Sequence, residues 1–282
     1  MARRVWFITG ISRGLGYALA QAALERGDLV IGTTRNGAAP EGLATQGLNV
    51  LPLEMEDTAS IEHVVASAYA LYGRIDVLVN NAGYGLLGAV EAANEREVRD
   101  IFAINLFAPL AIIRHALPKM REQGRGHILN IVSVAGIAPA SGAGIYAGTK
   151  AALAAISYAL AQELAPFGLW VTAVAPGSFR TDFLSSRSVL HTGSTLDDYA
   201  ATSGRAVAGL LAKDGKQAGD PRHAARAILE AVDAEEPPLD LLLGSDALQR
   251  ARIRLDRFDD DIRQWENVSR STDFTTQRPG AV

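Results

Sequence analysis

Short apolar runs alternate with longer stretches of helical periodicity along most of the chain. The runs are continuous and rich in β-branched residues, which is typical of strands buried on both faces of a parallel sheet. Predicted strands cover residues 5–9, 29–33, 50–53, 77–80, 128–132, 170–175 and 239–243. One helix is predicted to end near residue 26, and others cover residues 61–72, 95–120 (one helix or two) and 147–167. This alternation predicts an α/β fold with a doubly wound parallel sheet of about seven strands, flanked by helices.

Two segments depart from this alternation. Residues 183–219 are rich in Ser, Thr, Gly and Ala and weakly periodic, which indicates either a loop insertion or a pair of short mobile helices. From about residue 246 the chain is charged and rich in arginine, helical to about residue 265 and frayed over its last dozen residues. The expected division is one main domain at 1–245, which includes a lid segment at 182–220, and a helical extension at 246–282.

Composition narrows the range of functions. The 27 basic and 31 acidic residues give a net charge of −4, which argues against a broad nucleic-acid surface. Without cysteine the chain has no disulfides, thiolate chemistry or thiolate-bound zinc, and its five histidines lack ligand spacing, so no metal is expected. The apolar run after Arg3 and Arg4 is too short for a signal peptide, and residues 151–161 are too few to span a bilayer. We therefore expect a cytoplasmic protein without a membrane partner.

A glycine-rich turn joins the first predicted strand to the first helix. Its candidate cofactor-binding residues are Gly10, Ser12, Arg13, Gly14, Leu15 and Gly16. Glycines let the backbone approach a pyrophosphate closely, and the free N–H groups and dipole of the following helix stabilise its charge. The glycine spacing is one residue wider than the usual dinucleotide fingerprint. Its position between strand and helix nevertheless favours dinucleotide binding over a simple tight turn.

The second strand bears on which dinucleotide binds. NAD-type sites place an acidic residue about 20 positions after the glycines, but residues 29–40 contain none. Instead there are two arginines, Arg13 in the glycine-rich turn and Arg35 just past the strand, and guanidinium groups suit a 2′-phosphate. NADP(H) is therefore the preferred cofactor and NAD(H) a possible one. The alternative is that both are solvated surface arginines, in a chain with only four lysines among its 27 basic residues.

Tyr146 and Lys150 are four positions apart and share one face of a predicted helix. A neighbouring ammonium favours the phenolate and is expected to lower the pKa of the tyrosine, which suits it to general acid–base catalysis. Ser133 follows a predicted strand at the edge where open α/β sheets bind ligands. Taken singly, these residues are also consistent with an exposed helix pair and a turn serine.

Together these residues resemble the short-chain dehydrogenase/reductases over about residues 5–245. The shared motifs, in order, are Thr9-Gly10 with Gly14 and Gly16, Asn80-Asn81-Ala82-Gly83, Asn105, Ser133, Tyr146, Lys150, and Pro176-Gly177 with Thr181. The resemblance implies a single Rossmann-type domain in which Tyr146 is the general acid/base and Ser133 orients the substrate oxygen. Lys150 would bind the nicotinamide ribose and lower the pKa of Tyr146, and Asn105 would hold a water in a proton relay.

The resemblance also implies further cofactor contacts. Asn81, Ala82 and Gly83 would lie on the adenosine side, and Pro176, Gly177 and Thr181 at the nicotinamide end. Many relatives carry Asp near Glu54, so either Glu54 reaches the adenine or the backbone of Met55 makes that contact. Relatives are commonly homodimers or homotetramers, with the helices of Tyr146 and Asn105 at one interface.

The expected function is NADP(H)-dependent interconversion of a carbonyl compound and an alcohol by hydride transfer. The expected pocket residues are mostly apolar, which suits a hydrophobic substrate. They are Tyr84, Ala135, Ile137, Pro139, Ser178, Phe179 and Phe183, with His191 on the lid segment as a weaker candidate. One alternative is an NAD-linked dehydrogenase of steroid-, retinol- or sugar-like alcohols. Another is a non-catalytic NADP(H)-sensing protein.

Overall fold

Seven parallel strands form the centre of the computed structural model, which describes residues 3–185 and 188–274. In chain order, the strands of the described ranges are β1 (Val5–Ile8), β2 (Leu29–Thr34), β3 (Leu48–Pro52), β4 (Val77–Asn80), β5 (Gly85–Leu87), β6 (Gly126–Ile131), β7 (Leu169–Pro176), β8 (Val189–His191) and β9 (Asp240–Leu243). The central sheet has the order β3-β2-β1-β4-β6-β7-β9, and all of its pairings are parallel. The predicted doubly wound sheet is confirmed, and the chain reverses direction across it between β1 and β4.

Helices cover both faces of this sheet. They are α1 (Gly14–Glu25), α2 (Thr58–Tyr72), α3 (Glu95–Phe102), α4 (Ala108–Gln123), α5 (Val134–Ile137), α6 (Gly144–Leu164), α7 (Arg205–Leu211), α8 (Pro221–Asp233) and α9 (Ser245–Arg270). Alternate side chains of β1 enter the two cores. Val5 and Phe7 pack with α2, α4 and α6, whereas Trp6 and Ile8 pack with α1 and α8. Because both faces are covered, every position of this strand is apolar.

Local signals explain where the helices begin and end. The Asp57 carboxylate accepts a hydrogen bond from the Ala59 N–H at 2.9 Å and caps α2, as its position in the sequence indicates. Gly73, with φ +70°, ends the same helix in the left-handed conformation that favours glycine. Asn94 and Glu97 form a reciprocal capping box at the start of α3. Asp57 and Asn94 thus fix the starts of two helices at the ligand-binding edge of the sheet, and Gly73 ends α2 at the opposite edge.

Residues 183–219, for which the sequence indicates a loop insertion or a pair of short mobile helices, contain more regular structure than either. Short helical turns and α7 are present, but β8 also pairs with β5 in a second parallel sheet of two strands. The Tyr199 hydroxyl donates to a Glu91 carboxylate oxygen at 2.6 Å, and the Gly193 N–H donates to Glu97 at 2.6 Å. A strand of three residues is too short to show periodicity. Residues 186–187 of this segment and the predicted frayed end at 275–282 lie outside the described residues.

The predicted helical stretch at 95–120 divides into α3, a π-helical turn at Ala103–Phe107, and α4. By length and composition alone, Glu95–Gln123 is apolar enough to cross a membrane. Half of its most apolar window is buried inside the fold, where α4 packs against α2 and the sheet. Core helices of soluble proteins share this composition, so the run is weak evidence for a membrane span.

A buried histidine on β6 makes stability depend on pH. The His127 side chain is 4% exposed, and its Nε2 lies 2.8 Å from Thr172 Oγ1. That hydroxyl donates its own hydrogen to Pro238 O at 2.6 Å, so the ring donates from Nε2 and remains neutral. Burial, and secondarily the charge of Arg4, lowers the pKa of His127 to about 3. Protonation is therefore disfavoured in the folded state and unhindered in the unfolded one.

We expect His127→Gln to flatten the acid dependence of stability. Since the lowered pKa lies below the unfolded value of about 6.5, this histidine's contribution is lost as pH falls between those values. Between pH 7 and pH 5 the wild type should lose about 2 kcal/mol more unfolding free energy than the variant, whose amide keeps a donor for Thr172. Urea unfolding at both pH values measures this difference, and equal pH slopes would contradict a neutral buried imidazole.

Candidate active site

The glycine-rich turn is fastened to the end of β4 by a small hydrogen-bond network. The side-chain amide of Asn81 donates to Thr9 O at 2.9 Å and to Gly10 O at 3.0 Å. In the other direction, Thr9 Oγ1 accepts the N–H groups of Asn81 and Ala82, each at 3.0 Å. The turn therefore lies where the sheet changes direction, which is where open α/β folds bind ligands.

Three of the turn's glycines are required by geometry. Gly10 and Gly14 have φ angles of +71° and +65°, which side chains rarely tolerate. A Cβ on Gly16 would lie 2.4 Å from both Asn81 Nδ2 and Gly10 O. A Cβ on Gly14 would lie 3.7 Å from the Thr181 side chain, so Thr181 reaches this turn across the site. The backbone can thus approach a ligand at the start of α1 without obstruction.

The candidate phosphate-binding residues lie around the same edge. Arg13 directly precedes α1, and its Nε and Nη2 donate to Ser188 Oγ at 3.0 and 2.8 Å. Arg35 is exposed just beyond β2, which neighbours β1 in the sheet. Ser12 is exposed, while Leu15 packs against the core on the α1 side. Arg35 is thus on the half of the site that the sequence assigns to the adenosine, whereas the Arg13 guanidinium is directed toward Ser188 of the lid segment.

Beyond β3, the two candidate adenine-binding residues face different surroundings. Glu54 is exposed, and its N–H donates to Ser60 Oγ at 3.1 Å. The Met55 side chain is half-buried and packs against the core shared by α2 and α4. The Glu54 carboxylate and the Met55 backbone are therefore the groups available at this end of the site.

Ser133, Tyr146 and Lys150 are close together at the ends of β6 and α6. The Ser133 hydroxyl lies beside the Tyr146 phenol, and its oxygen accepts the Ala135 N–H at 3.1 Å, which also caps α5. Lys150 is 5% exposed, and its Nζ donates to Ile131 O at 2.8 Å and lies 6.0 Å from the centre of the Tyr146 ring. Burial lowers the pKa of Lys150 to about 8. Serine, phenol and amine thus face one cleft.

The electrostatic environment of Tyr146 differs from the expectation. Burial raises the pKa of the phenol, while the neighbouring Ser133 hydroxyl and the positive charge of Arg250 lower it. From the sequence, Lys150 was expected to lower this pKa. Its ammonium donates to the backbone carbonyl of Ile131 instead. Arg250 was not recognised as a site residue. Its Nη2 donates to Ala138 O at 2.6 Å and brings α9 against the residues that follow Ser133.

Asn105 lies in the π-helical turn and is completely buried. Its Oδ1 accepts the Tyr84 N–H at 3.0 Å, and its Nδ2 donates to Tyr84 O at 2.8 Å and to Thr149 Oγ1 at 3.2 Å. A Cβ on Gly83 would lie 2.8 Å from Asn105 Oδ1 and 3.6 Å from Lys150 Nζ. Asn105 is thus beside the lysine with both amide donors engaged, and only acceptor capacity remains on its side chain for a water.

The first turn of α9 also holds the Pro176-Gly177 segment. The Asp246 carboxylate accepts the Ser178 N–H at 2.9 Å, and a Cβ on Gly177 would lie 2.2 Å from that carboxylate. Gly177 is therefore required by the close approach of Asp246. Sequence reasoning treated residues from 246 onward as a separate extension and missed both Asp246 and Arg250. No sequence signal links them to residues 68 and 112 positions away.

The expected pocket residues are only partly brought together. The Phe183 ring lies 5.8 Å from the Tyr146 ring at an angle of 49°, so the lid segment reaches the phenol. Phe179 instead packs toward the core and against Gly219. Ala135 is buried, Ile137 packs with the core beside α6, and His191 is exposed on β8. The apolar wall of the cleft therefore rests mainly on Phe183.

Comparison with known proteins agrees with this arrangement. A family model described as short chain dehydrogenase matches residues 4–189. The chain is 35% identical over 273 residues to the oxidoreductase BOA17 of Botryotinia fuckeliana, covering 94% of this chain and 98% of the relative. The crystal structure of a short-chain dehydrogenase from Streptomyces avermitilis is 41% identical, with a TM-score of 0.89 over 96% of this chain and 99% of the other.

Several similar structures contain a nicotinamide cofactor, which is NADP in two of them and NADH in a third. A metagenomic short-chain oxidoreductase in complex with NADP is 26% identical, with a TM-score of 0.67 over 85% of this chain and 96% of that chain. The Streptomyces match extends over nearly the whole chain, so it includes most of the helical extension as well as the motif-bearing region.

We expect Arg250→Gln to raise the pKa of Tyr146, because the substitution removes a nearby positive charge that favours the phenolate. NMR of protein labelled with 13C at the tyrosine ζ carbon measures the titration directly, and the Tyr146→Phe variant assigns the signal. Arg252→Gln, on the exposed part of α9, is the matched control and should titrate like the wild type. A Tyr146 titration unchanged in Arg250→Gln would show that this guanidinium does not act on the phenol.

Proposed function

Because the chain belongs to the short-chain dehydrogenase/reductase family, we propose that it interconverts a carbonyl compound and an alcohol as an NADP(H)-dependent oxidoreductase. The observation that carries the proposal is the position of Ser133 and of the buried amine of Lys150 beside the Tyr146 phenol. A serine and a tyrosine that point into one cleft can bind one substrate oxygen together. Such a pair performs acid–base chemistry and does not supply a nucleophile or a metal site.

The glycine-rich turn fits a nicotinamide dinucleotide. Gly10, Gly14 and Gly16 leave the start of α1 open to close approach, and a Cβ at any of the three would be strained or obstructed. A pyrophosphate there would be stabilised by the free N–H groups and dipole of α1. Ala82 and Gly83 border the adenosine side of the site, and Pro176, Gly177 and Thr181 its nicotinamide end. When bound, the cofactor supplies the hydride chemistry.

The chain's own residues orient the substrate and move the proton. In reduction, Ser133 and Tyr146 donate hydrogen bonds to the carbonyl oxygen, and Tyr146 gives its proton as negative charge develops there. In oxidation, Tyr146 takes the proton from the alcohol. Lys150 would hold the hydroxyls of the cofactor's nicotinamide ribose and, with its pKa lowered to about 8 by burial, can return a proton toward Tyr146. Asn105 supports this route as an acceptor for a relay water.

The cleft favours a hydrophobic substrate. Phe183 stacks obliquely on Tyr146, and the lid segment that carries it is attached to the body by Tyr199 and Gly193. Closing this segment over the substrate excludes water from the reacting atoms. We therefore propose an apolar ketone or secondary alcohol, a small molecule rather than a nucleic acid, as the ligand.

The preference for NADP(H) rests on charge at the adenosine side. Arg13 and Arg35 are the basic groups beside the ends of β1 and β2, and residues 29–40 carry no acid to bind a 2′-hydroxyl. Similar structures contain NADP in some cases and NADH in another, so the proposed preference rests on these charges alone. An NAD-linked dehydrogenase of steroid-, retinol- or sugar-like alcohols is the alternative, and a non-catalytic sensor is disfavoured by the intact Ser133–Tyr146 pair.

Three further proposals concern the surroundings of the enzyme. We expect a homodimer or homotetramer in which α6 and the helical run that carries Asn105 and continues into α4 form one interface. We also expect a cytoplasmic location. The division at residue 245 remains a prediction, although the first turns of α9 pack on the main domain through Ala247 and Ala251.

We expect Tyr146→Phe to lower kcat by at least about 1000-fold, because the phenyl ring cannot donate or accept the proton. Cofactor affinity should change less than about threefold, since the substitution removes only a hydroxyl. Absorbance at the nicotinamide band with a panel of ketones and secondary alcohols gives kcat, and fluorescence titration gives the cofactor affinity. Tyr158→Phe, on the same helix, is the control, and substantial activity in Tyr146→Phe would contradict the assignment.

We expect Arg35→Asp to move the cofactor preference toward NAD(H) by at least about tenfold in the ratio of kcat/KM values. A carboxylate there repels the 2′-phosphate and accepts hydrogen bonds from a 2′-hydroxyl. Arg226→Asp, which makes the same charge change on the exposed face of α8, should leave the ratio unaltered. If the two variants shift the ratio equally, the effect is one of net charge and Arg35 does not contact the phosphate.

A further inference from the structure

The C-terminal helix α9 extends far beyond the body of the protein. Its first turns are anchored, with Ala247 and Ala251 at 0% and 4% exposure. Every residue from 252 to 270 is exposed, although the helix is continuous to Arg270. At about 1.5 Å per residue this exposed part is roughly 28 Å long. A helix of this length in water normally depends on packing for its stability, so the exposed part lacks the contacts that would explain it.

Large apolar side chains follow one face of this exposed helix. They are Leu248, Leu255, Phe258, Ile262 and Trp265, with exposures of 44%, 57%, 50%, 51% and 56%. With Ala251 included, the spacing alternates between three and four residues through all six positions, which is the spacing of a coiled-coil seam. We call these five large side chains the α9 seam. Monomeric proteins rarely expose a contiguous apolar surface of this kind without a binding partner.

Charges beside the α9 seam are separated along the helix. Arg252 and Arg254 flank its first half, whereas Asp259 and Asp261 flank its second half, at equivalent heptad positions seven residues further on. Among the described residues, Arg252, Arg254 and Asp261 take part in no ion pair, while Asp259 pairs with Arg263 along the helix. Two such helices in parallel would pair Arg254 with Asp259 of the other helix but bring Asp261 against Glu266, so attraction and repulsion would offset. In antiparallel orientation each basic half meets an acidic half.

We propose that the α9 seam binds the α9 seam of a second copy of this chain in antiparallel orientation. Pairing Arg254 with Asp261 of the second copy sets the register, and Arg252 then lies near Asp259 of that copy. In this register Leu255 packs against Phe258 of the second copy, and the half-exposed Leu248 against its Trp265. A shift by one heptad would instead place Asp261 opposite itself, which disfavours that register.

The same charges argue against other occupants. Around the second half of the α9 seam, five acidic residues outnumber three arginines, so this half is net negative and does not favour an anionic lipid surface. They are Asp256, Asp259, Asp260, Asp261 and Glu266 against Arg257, Arg263 and Arg270. A second copy supplies both the apolar partner and the complementary charges from one sequence. Two-fold interfaces bury the same patch on each subunit, as this arrangement does. The contact is distinct from the interface proposed for α6 and α4.

Sedimentation equilibrium of the whole protein tests the apolar part of the proposal. Leu255→Glu introduces a charge into the seam and should halve the assembled mass, or raise the dissociation constant at least about tenfold. Ile253→Glu makes the same change two residues away, at a side chain that is 61% exposed on the opposite face, and should leave the mass unchanged. Both sites are exposed, so neither variant should unfold the protein. Equal masses for both variants and the wild type would overturn the proposal.

Cysteine cross-linking tests the orientation, because the natural chain has no cysteine to interfere. The double variant Arg254→Cys/Asp261→Cys should form a covalent dimer under mild oxidation, whereas each single variant should not. Within one helix the two positions are about 10 Å apart, too far for an internal disulfide. Dimers of either single variant alone would indicate an antiparallel register shifted by one heptad. A covalent dimer of the double variant Arg254→Cys/Asp259→Cys, whose two positions meet only in parallel pairing, would indicate parallel helices. Either result would overturn the proposal. The double variant Ile253→Cys/Asp260→Cys, on the outer face, is the control and should form no covalent dimer.

A lipid surface is the alternative partner for the α9 seam, and vesicle sedimentation tests it separately. Wild-type protein is sedimented with phosphatidylglycerol vesicles and with phosphatidylcholine vesicles. The proposal expects no binding to either at 0.15 M salt and an assembled mass that the vesicles do not change. A monomeric wild type that binds vesicles through Leu255 would assign the α9 seam to membranes and overturn the proposal.

Discussion

The hydrogen bonds between Asn81 and the Thr9–Gly10 backbone are the constraint on which the site depends. Strands β1 and β4 lead to helices on opposite faces of the sheet, so their connections separate and leave a crevice between them. Asn81 bridges that crevice at 2.9 and 3.0 Å and fixes the depth of the glycine-rich turn. Because its amide occupies the space beside residue 16, glycine is needed there. Removing the bridge would release the start of α1, which is where a pyrophosphate is expected to bind.

The sequence predicted those parts of the molecule that neighbouring residues determine. The four apolar residues of β1 identify a strand covered on both faces, and the periodicity of residues 61–72 identifies α2 except for its first turn. The residues of the glycine-rich turn and of the Tyr146–Lys150 pair have fixed spacing, so the amino-acid sequence alone identifies them. Each of these signals is contained in a window shorter than about 20 residues.

Contacts between distant parts of the chain could not be predicted in this way. The pairing of β5 with β8 joins Gly85 to Val189, and each strand has only three residues. Asp246 reaches Ser178, and Arg250 reaches Ala138, through packing of α9 that no local pattern specifies. The expected effect of Lys150 on Tyr146 failed for a related reason. Helical spacing places the two side chains on one face, but the direction of the amine depends on Ile131, which lies on another element.

The geometry of the active site also determines where the exposed part of α9 faces. An α-helix turns by about 100° per residue, so once the first turns are fixed, the direction of every later side chain follows. Asp246 fixes the start of α9 through the Ser178 N–H, and Ala247 and Ala251 fix its rotation against the body. Leu255 and Phe258 continue the face of Ala251 beyond the edge of the body. The seam is therefore a continuation of the face by which α9 docks on the main domain, and a partner that bound it would be oriented relative to the catalytic cleft.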